Sequence, residues 1–443
     1  MTAPLAAKTL LEAGKTEELR ELLNGIHPAD LAEALAPLDM EDIIRVMNLL
    51  DTQKAADVLV ELSETTRDEV ARTLPAEKLS LLVDEMETDD AADIVGELSD
   101  ETANKVLSSI DAGDSKEVRL LLGYDPETAG GLMQTELVAA VEGDAVTDVV
   151  RLIREKKEEV GDIAHVFVKD GSGILKGEVS LKTLLLASPE DTMGKLLSAP
   201  GLVLLANEGQ EEVASKFQKY DVKVAPVVDD RNRLLGKVTV DDIMDVVHEE
   251  TDKDFYRLAG SSEEELYSVG TLKTAGLRVP WLLFNLGGGI VASFILARFE
   301  KSFLDAMALV AFVPMVMGLA GAVGSQSATI TVRGIATGRI REGETVRNYL
   351  REQKVSGFIA VVFGVFIAFL SWFMYRDYVP RAALAIGISI SSAVLVAAFL
   401  GFFTPMLFRT VKIDPALASG PVVTSMSDVM SLFIYALVGT SII

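Results

Sequence analysis

Five apolar stretches after residue 278 constrain this chain more than any other feature. They run over 279–297, 306–332, 355–375, 382–408 and 415–443. Each approaches or exceeds the roughly 20 residues a helix needs to cross the hydrocarbon core of a bilayer. The first four contain no Asp, Glu, Lys or Arg. A backbone in lipid must satisfy its own hydrogen bonds, and a helix does so within one segment. Five such helices in succession do not suit a soluble core. Residues 271–443 are therefore expected to form an all-α transmembrane domain with five helices.

Charge divides the chain at the same place. Residues 271–443 carry 14 Lys/Arg against 8 Asp/Glu, whereas residues 1–270 carry 27 against 58. So acidic a region repels nucleic acid, whose affinity comes mainly from Lys and Arg on phosphate. It attracts cations and repels copies of itself. The chain has no cysteine, which excludes disulfides, thiolate zinc sites and cysteine nucleophiles. Its first 20 residues, MTAPLAAKTLLEAGKTEELR, hold no apolar core of signal-peptide length, so the acidic half is expected to stay in the cytoplasm. Loop charges agree. Arg333, Arg339, Arg341, Arg347, Arg351 and Lys354 lie between the second and third stretches, and Arg409 and Lys412 between the fourth and fifth. The opposite loops offer fewer, Arg298, Lys301, Arg376 and Arg381. The positive-inside rule then expects a multi-pass inner-membrane protein with its N-terminus cytoplasmic and its C-terminus outside.

Asp428 is the one carboxylate within the spans, expected near the middle of the fifth, in Thr424-Ser-Met-Ser-Asp428. At that depth it costs several kcal/mol unless it meets water, a cation or a partner. No Lys or Arg lies inside any span to pair with it. A protonated Asp bonding a neighbouring helix is the plain alternative; a cation site in a water-filled pore is the functional one. In the second span, Gly321 and Gly324 permit close backbone approach, and Ser325, Gln326 and Ser327 add polar atoms. Helix packing alone would also explain that pattern.

The acidic half falls into three parts. Residues 1–131 read as helices only, with apolar residues at helical spacing. Ala55-Ala-Asp57-Val-Leu-Val-Glu-Leu-Ser63 returns 36 residues later as Ala91-Ala-Asp93-Ile-Val-Gly-Glu-Leu-Ser99, which suggests stacked helix pairs in a superhelix. Asp89 and Asp93 share a helix face, with Asp90 beside them; such a run is more often a solvated face. Residues 132–245 alternate strand and helix and repeat at an offset of 59: His165–Asp170 matches Val224–Asp229, and Gly177–Leu185 matches Gly236–Met244. This resembles a tandem pair of α/β CBS domains. Gly236-Lys-Val-Thr239-Val-Asp-Asp242 resembles the segment that holds an adenine-nucleotide ribose in some members. Thr239 and Asp242 are thus candidates for binding ATP. Residues 246–270 form an acidic connecting helix, preceded by Asp241, Asp242 and Asp245 and carrying Glu249, Glu250, Asp252 and Asp254. Like charges three and four apart destabilise a helix, so divalent cations would hold this cluster together.

From end to end the chain resembles the MgtE family of Mg²⁺ channels. The matching pieces are the helical repeats, the link Tyr124-x-x-x-Thr128-Ala-Gly-Gly-Leu-Met133, the CBS pair and the acidic helix. In the membrane they are Arg278-Val-Pro-Trp-Leu282, Gly324-Ser-Gln-Ser-Ala-Thr329 with Thr331-Val-Arg333-Gly334, and Asp414-Pro-Ala416 leading to Asp428. The resemblance implies a homodimer with a pore lined by the second and fifth spans. It implies Asp428 as the ion-selecting carboxylate, and cytoplasmic Mg²⁺ sites that close the pore. By position those sites would use Asp57, Asp89 and Asp93 from the helical domain, Asp221, Asp242 and Asp245 from the CBS pair, and Glu250 and Asp254 from the connecting helix. Two departures stand out. Ala322 replaces an Asn of many members, and Gly209 an acidic residue for which Glu208 or Glu211 would substitute.

Rival readings are a Co²⁺ or Mn²⁺ transporter and a CBS-regulated membrane enzyme. Oxygen ligands favour hard ions. The three His, at 27, 165 and 248, lie outside the spans, and His248-Glu-Glu lacks the second His of the zinc-protease pattern. The chain is expected not to be an enzyme, and its partners to be divalent cations and membrane lipid.

Overall fold

The structure, a computed structural model, describes residues 20, 23–156, 163–261, 265, 270–300, 307–337, 339–340, 343–375, 380–418 and 420–442. It separates into two units, Met1–Glu249 and Glu250–Ile443.

Among the described residues, the first unit begins with short helices: α1 Pro28–Leu35, α2 Met40–Met47, α3 Thr52–Glu61, α4 Glu64–Thr73, α5 Ala76–Val83, α6 Thr88–Gly96, α7 Asp100–Leu107 and α8 Ala112–Leu121. Side chains of Asp39, Asp51, Ser99 and Asp111 accept from the first-turn amides of α2, α3, α7 and α8. Each thereby satisfies a donor that the helix itself leaves unpaired. Every helix packs against the one two places further on, so odd and even helices form two rows. The sequence repeat sets equivalent cores: Ala55, Ala56, Val58 and Leu59 are buried in α3, and Ala91, Ala92, Ile94 and Val95 in α6.

Two three-stranded sheets follow, with orders β1-β2-β3 and β4-β5-β6. The first holds β1 Ala139–Val141, then α9 Val146–Glu155, β2 His165–Lys169, β3 Leu175–Ser180 and α10 Leu181–Leu186; α11 is Met193–Leu196. The second holds β4 Leu204–Leu205, α12 Gln210–Tyr220, β5 Val224–Val228 and β6 Leu234–Thr239. In each sheet the first pair is parallel and the second antiparallel. The registers repeat with the sequence, His165 opposite Ser180 and Val224 opposite Thr239, and each pair is irregular at the same step. The segment after α8 is bonded to the second sheet: Ala129 N donates to Glu208 O, Gly130 N to Ala206 O and Gln134 N to Lys237 O. The helical domain and the second CBS half thus share one apolar core. From β6 a single helix, α13 Val240–Ala259, carries the acidic stretch.

Among its described residues, the second unit contains five helices long and apolar enough to cross a membrane. They are α14 Thr271–Arg298, α15 Met307–Ala336, α16 Thr345–Tyr375, α17 Pro380–Thr410 and α18 Pro421–Ile442. Two details differ from the sequence reading. Arg333 ends α15, and Arg347, Arg351 and Lys354 occupy the first turns of α16 rather than a loop. A helix continues into the aqueous layer when nothing stops it, and no Pro or Gly interrupts 345–354. The last apolar stretch is split: a 3₁₀ turn over Pro415–Ala418 precedes α18. Asp414 Oδ1 accepts from Ala416 N to start the turn, and Pro421, with no amide hydrogen, suits a helix start. Asp428 is therefore in the second turn of its helix.

Helices α15 and α17 meet at glycines. A Cβ on Gly401 would lie 2.3 Å from Gly324 O and 2.8 Å from Ser327 Cβ. Backbone cannot yield as a side chain does, so Gly401→Ala should cost about 1–3 kcal/mol. It should lower the melting temperature of the detergent-solubilised protein. Gly289→Ala, with nothing within 4 Å of the added carbon, should leave it unchanged.

Candidate functional site

Helix α18 turns its polar residues toward α15. Thr424 and Asp428 are one turn apart and share a face, as do Gly321 and Ser325 on the facing helix. Ser325 Oγ lies 3.1 Å from Thr424 Oγ1. One turn along, a Cβ on Gly321 would stand 3.1 Å from Asp428 Oδ1. Glycine there gives the carboxylate room against the neighbouring backbone. Asp428 is half-buried, and among the described residues it forms no ion pair. Ser425 Oγ donates to Asn285 Oδ1 at 2.5 Å, tying α14 to the same turn of α18. Ser427 is fully buried on the other side, its Oγ without a hydrogen-bond partner against Gly324.

The soluble unit holds a second carboxylate group. Asp89 and Asp90 occupy the first turn of α6, where the positive helix end favours anions. Asp242 sits in the first turn of α13. Thr239 N and Oγ1 donate to its Oδ2 at 3.2 and 2.7 Å, and Gln134 Nε2 at 3.4 Å. Asp89 is 9% exposed, and its Oδ1 has no hydrogen-bond partner. Burial pushes the Asp89 carboxyl well above the usual range, and Asp90, Asp242 and Glu87 push it further. Burial, then the charges of Asp242 and Glu87, raise Asp90 to about 7. Burial raises Asp242 to about 6 against the opposing bonds from Thr239. Glu136 fixes this junction: its two oxygens accept from Thr88 N at 3.0 Å and Thr88 Oγ1 at 2.9 Å. Burial raises Glu136 as well.

Of the other expected ligands, Asp93 is near enough for its charge to raise Asp90. Asp57 and Asp93 are equivalent positions of the repeat. Asp57 Oδ1 accepts from Gln53 at 3.1 Å. Asp93 keeps a solvent-facing edge; desolvation of its carboxyl raises it, and the nearby Arg67 opposes that rise. Asp221 is exposed, with φ of 52° at the end of α12. Asp245 is raised by desolvation and lowered by His248. Glu208 is engaged by Lys216 at 2.6 Å. Among the described residues, no three His, Asp or Glu side chains form a ready-made metal cage.

Within the second unit, Glu250 pairs with Lys253 at 3.1 Å. Burial raises Asp254, as does the charge of Asp414, while Arg257 and Arg333 lower it. Arg257 forms an ion pair with Asp414. The end of α13 lies against the start of α18: a Cβ on Gly420 would be 2.6 Å from Leu258 O, and one on Gly260 2.6 Å from Pro421 Cγ. Gly260 has φ of 70°, which L side chains rarely adopt. The sequence reading missed Asp90 as a member of the buried group, and missed Glu136, Arg257 and the Gly260–Gly420 contact. Only Asp90, inside a visible charge run, had left a signal.

Three family models match the chain: Divalent cation transporter over residues 313–438, MgtE intracellular N domain over 26–127, and CBS domain over 198–249. The magnesium transporter MgtE of Bacillus subtilis is 32% identical over 434 residues, covering 98% of this chain and 96% of its own. The magnesium transporter MgtE of Thermus thermophilus is 35% identical over 431 residues, with 96% and 95% covered. A solved structure, the cytosolic domain of the Mg²⁺ channel MgtE in complex with ATP, superposes with a TM-score of 0.52 at 36% identity. It covers 55% of this chain and 99% of its own.

Asp90 and Asp242 titrate above the usual unfolded value of about 3.9. The folded unit then binds more protons than the unfolded chain, and stability falls as pH rises through the window from about 4 to 7. Without divalent cations, amide protection of residues 88–96 should drop between pH 5.5 and 8, after correction for intrinsic exchange. Asp90→Asn should reduce that drop; an unchanged pH dependence would contradict the assignment.

Proposed function

Because the chain belongs to the MgtE family of magnesium transporters, we propose that it is a Mg²⁺-selective channel for magnesium uptake, closed by cytosolic Mg²⁺. The observation that carries this reading is Asp428, set beside Gly321 in a layer of small and hydroxyl side chains between two spanning helices. Mg²⁺ dehydrates reluctantly and keeps several waters on one or two carboxylates. In a homodimer, two copies of Asp428 would offer two charges to a hydrated ion. That attraction is strong enough for entry and weak enough for release. The positive loops favour a cytoplasmic N-terminus and an outer C-terminus in the inner membrane.

The gating proposal rests on charge. At low Mg²⁺, Asp89, Asp90 and Asp242 repel one another, and their contact loosens. At high Mg²⁺, ions neutralise them and the acidic positions Asp57, Asp93, Asp221, Asp245, Glu250 and Asp254, favouring the closed state. A ligand shifts such an equilibrium only by its differential affinity for the two states. Asp242 stands in the first turn of α13, and Arg257 near its end meets Asp414 before the pore helix, so this helix would transmit the change.

An adenine nucleotide is the second ligand we infer for the CBS pair, by likeness to the relative solved with ATP. Thr239 and Asp242 would hold its ribose. Asp242 Oδ2 is already shared by Thr239 and Gln134, so only the other oxygen would be available. Ala322 supports one alternative, a less selective divalent-cation path, since a methyl stands where many members carry an amide.

Growth of a Mg²⁺-uptake-deficient bacterium on limiting Mg²⁺ tests the transport claim. The wild-type chain should restore growth, and Asp428→Asn, expressed at equal level, should not. Equal rescue by both would refute the role of Asp428.

A further inference from the structure

Helix α16 carries charge and apolar surface on one continuous face. Arg347, Arg351 and Lys354 follow one another at spacings of four and three, so they form a stripe. The same angular sector continues through Phe358, Val365 and Phe369, which are 72%, 65% and 63% exposed. A groove of about 740 Å³ runs along the three cations. Among the described residues none of the three makes an ion pair. Glu344, at the mouth of the groove, is the one acid lining it. The first turn of a helix also leaves unpaired N–H groups and a partial positive charge.

The dimensions fit one molecule. From Phe358 to Phe369 the helix rises about 16 Å at 1.5 Å per residue. That is close to half of the roughly 30 Å hydrocarbon core, or one leaflet. A preference for positive loops accounts for basic residues on this side, but not for their alignment above a lipid-length apolar column. We propose that this face binds an anionic phospholipid, its phosphate on Arg347, Arg351 and Lys354 and its acyl chain along Phe358, Val365 and Phe369. Basic residues at a membrane surface each contribute about 1 kcal/mol toward anionic lipid, or roughly fivefold in affinity.

The test titrates the detergent-purified full chain with phosphatidylglycerol, phosphatidylcholine or inorganic phosphate and counts bound molecules by native mass spectrometry. Phosphatidylglycerol should bind at least tenfold more tightly than phosphatidylcholine. Arg351→Gln should weaken it about fivefold, and the triple Gln variant at 347, 351 and 354 should erase the preference. Glu344→Gln should tighten binding, which a misfolded variant would not do. An unchanged preference in the triple variant, or no gain from Glu344→Gln together with no loss from Arg351→Gln, overturns the proposal. Inorganic phosphate binding as tightly as the lipid, with the same variant pattern, overturns it in favour of free phosphate.

Discussion

The soluble half brings Asp89, Asp90 and Asp242 together from the first turns of α6 and α13. Asp89, Asp90 and Asp242 meet where water is largely excluded, and the repulsion between them is felt more strongly than in bulk solvent. Burial first, and then the charges of neighbouring acids, raise the titration of all three, so protonation relieves the cost. In the proposed gating, a divalent cation would relieve it at neutral pH without a proton. Fully paired, such a group would be inert; left acidic, it makes the fold depend on what the solvent supplies.

The same principle explains the plain surroundings of the membrane carboxylate. Asp428 has glycine and hydroxyl neighbours rather than a fixed cation. Under the proposed transport function, a permanent Arg or Lys partner would compete with a passing ion. Helix α13 is continuous over 20 residues, and its end approaches Gly420 closely. Proposed gating needs no more than a change in how that helix end sits against Pro421.

Much of this was legible in the sequence. The five spans followed from length and composition, and the two internal repeats carried over to equivalent buried positions and equivalent strand registers. Asp428 declared itself as the one acid in apolar surroundings. The start of its helix at Pro421 was not legible because it lies inside an apolar run, where hydropathy outweighs helix-stop signals. Long-range pairing was not legible. Nothing local distinguishes Asp90 and Asp242, which meet, from Asp57 or Asp221, which do not join them; all are acids near helix ends or faces. Glu136 and Arg257 gain their roles only from partners 48 and 157 residues away.

Ionic current through excised inside-out patches bearing the full chain, with Mg²⁺ stepped on the face bathing the soluble half, tests the central claim most directly. Current should fall steeply as Mg²⁺ rises, more steeply than one bound ion can produce, because several carboxylates must be neutralised together. A current indifferent to Mg²⁺ on that face would contradict the account.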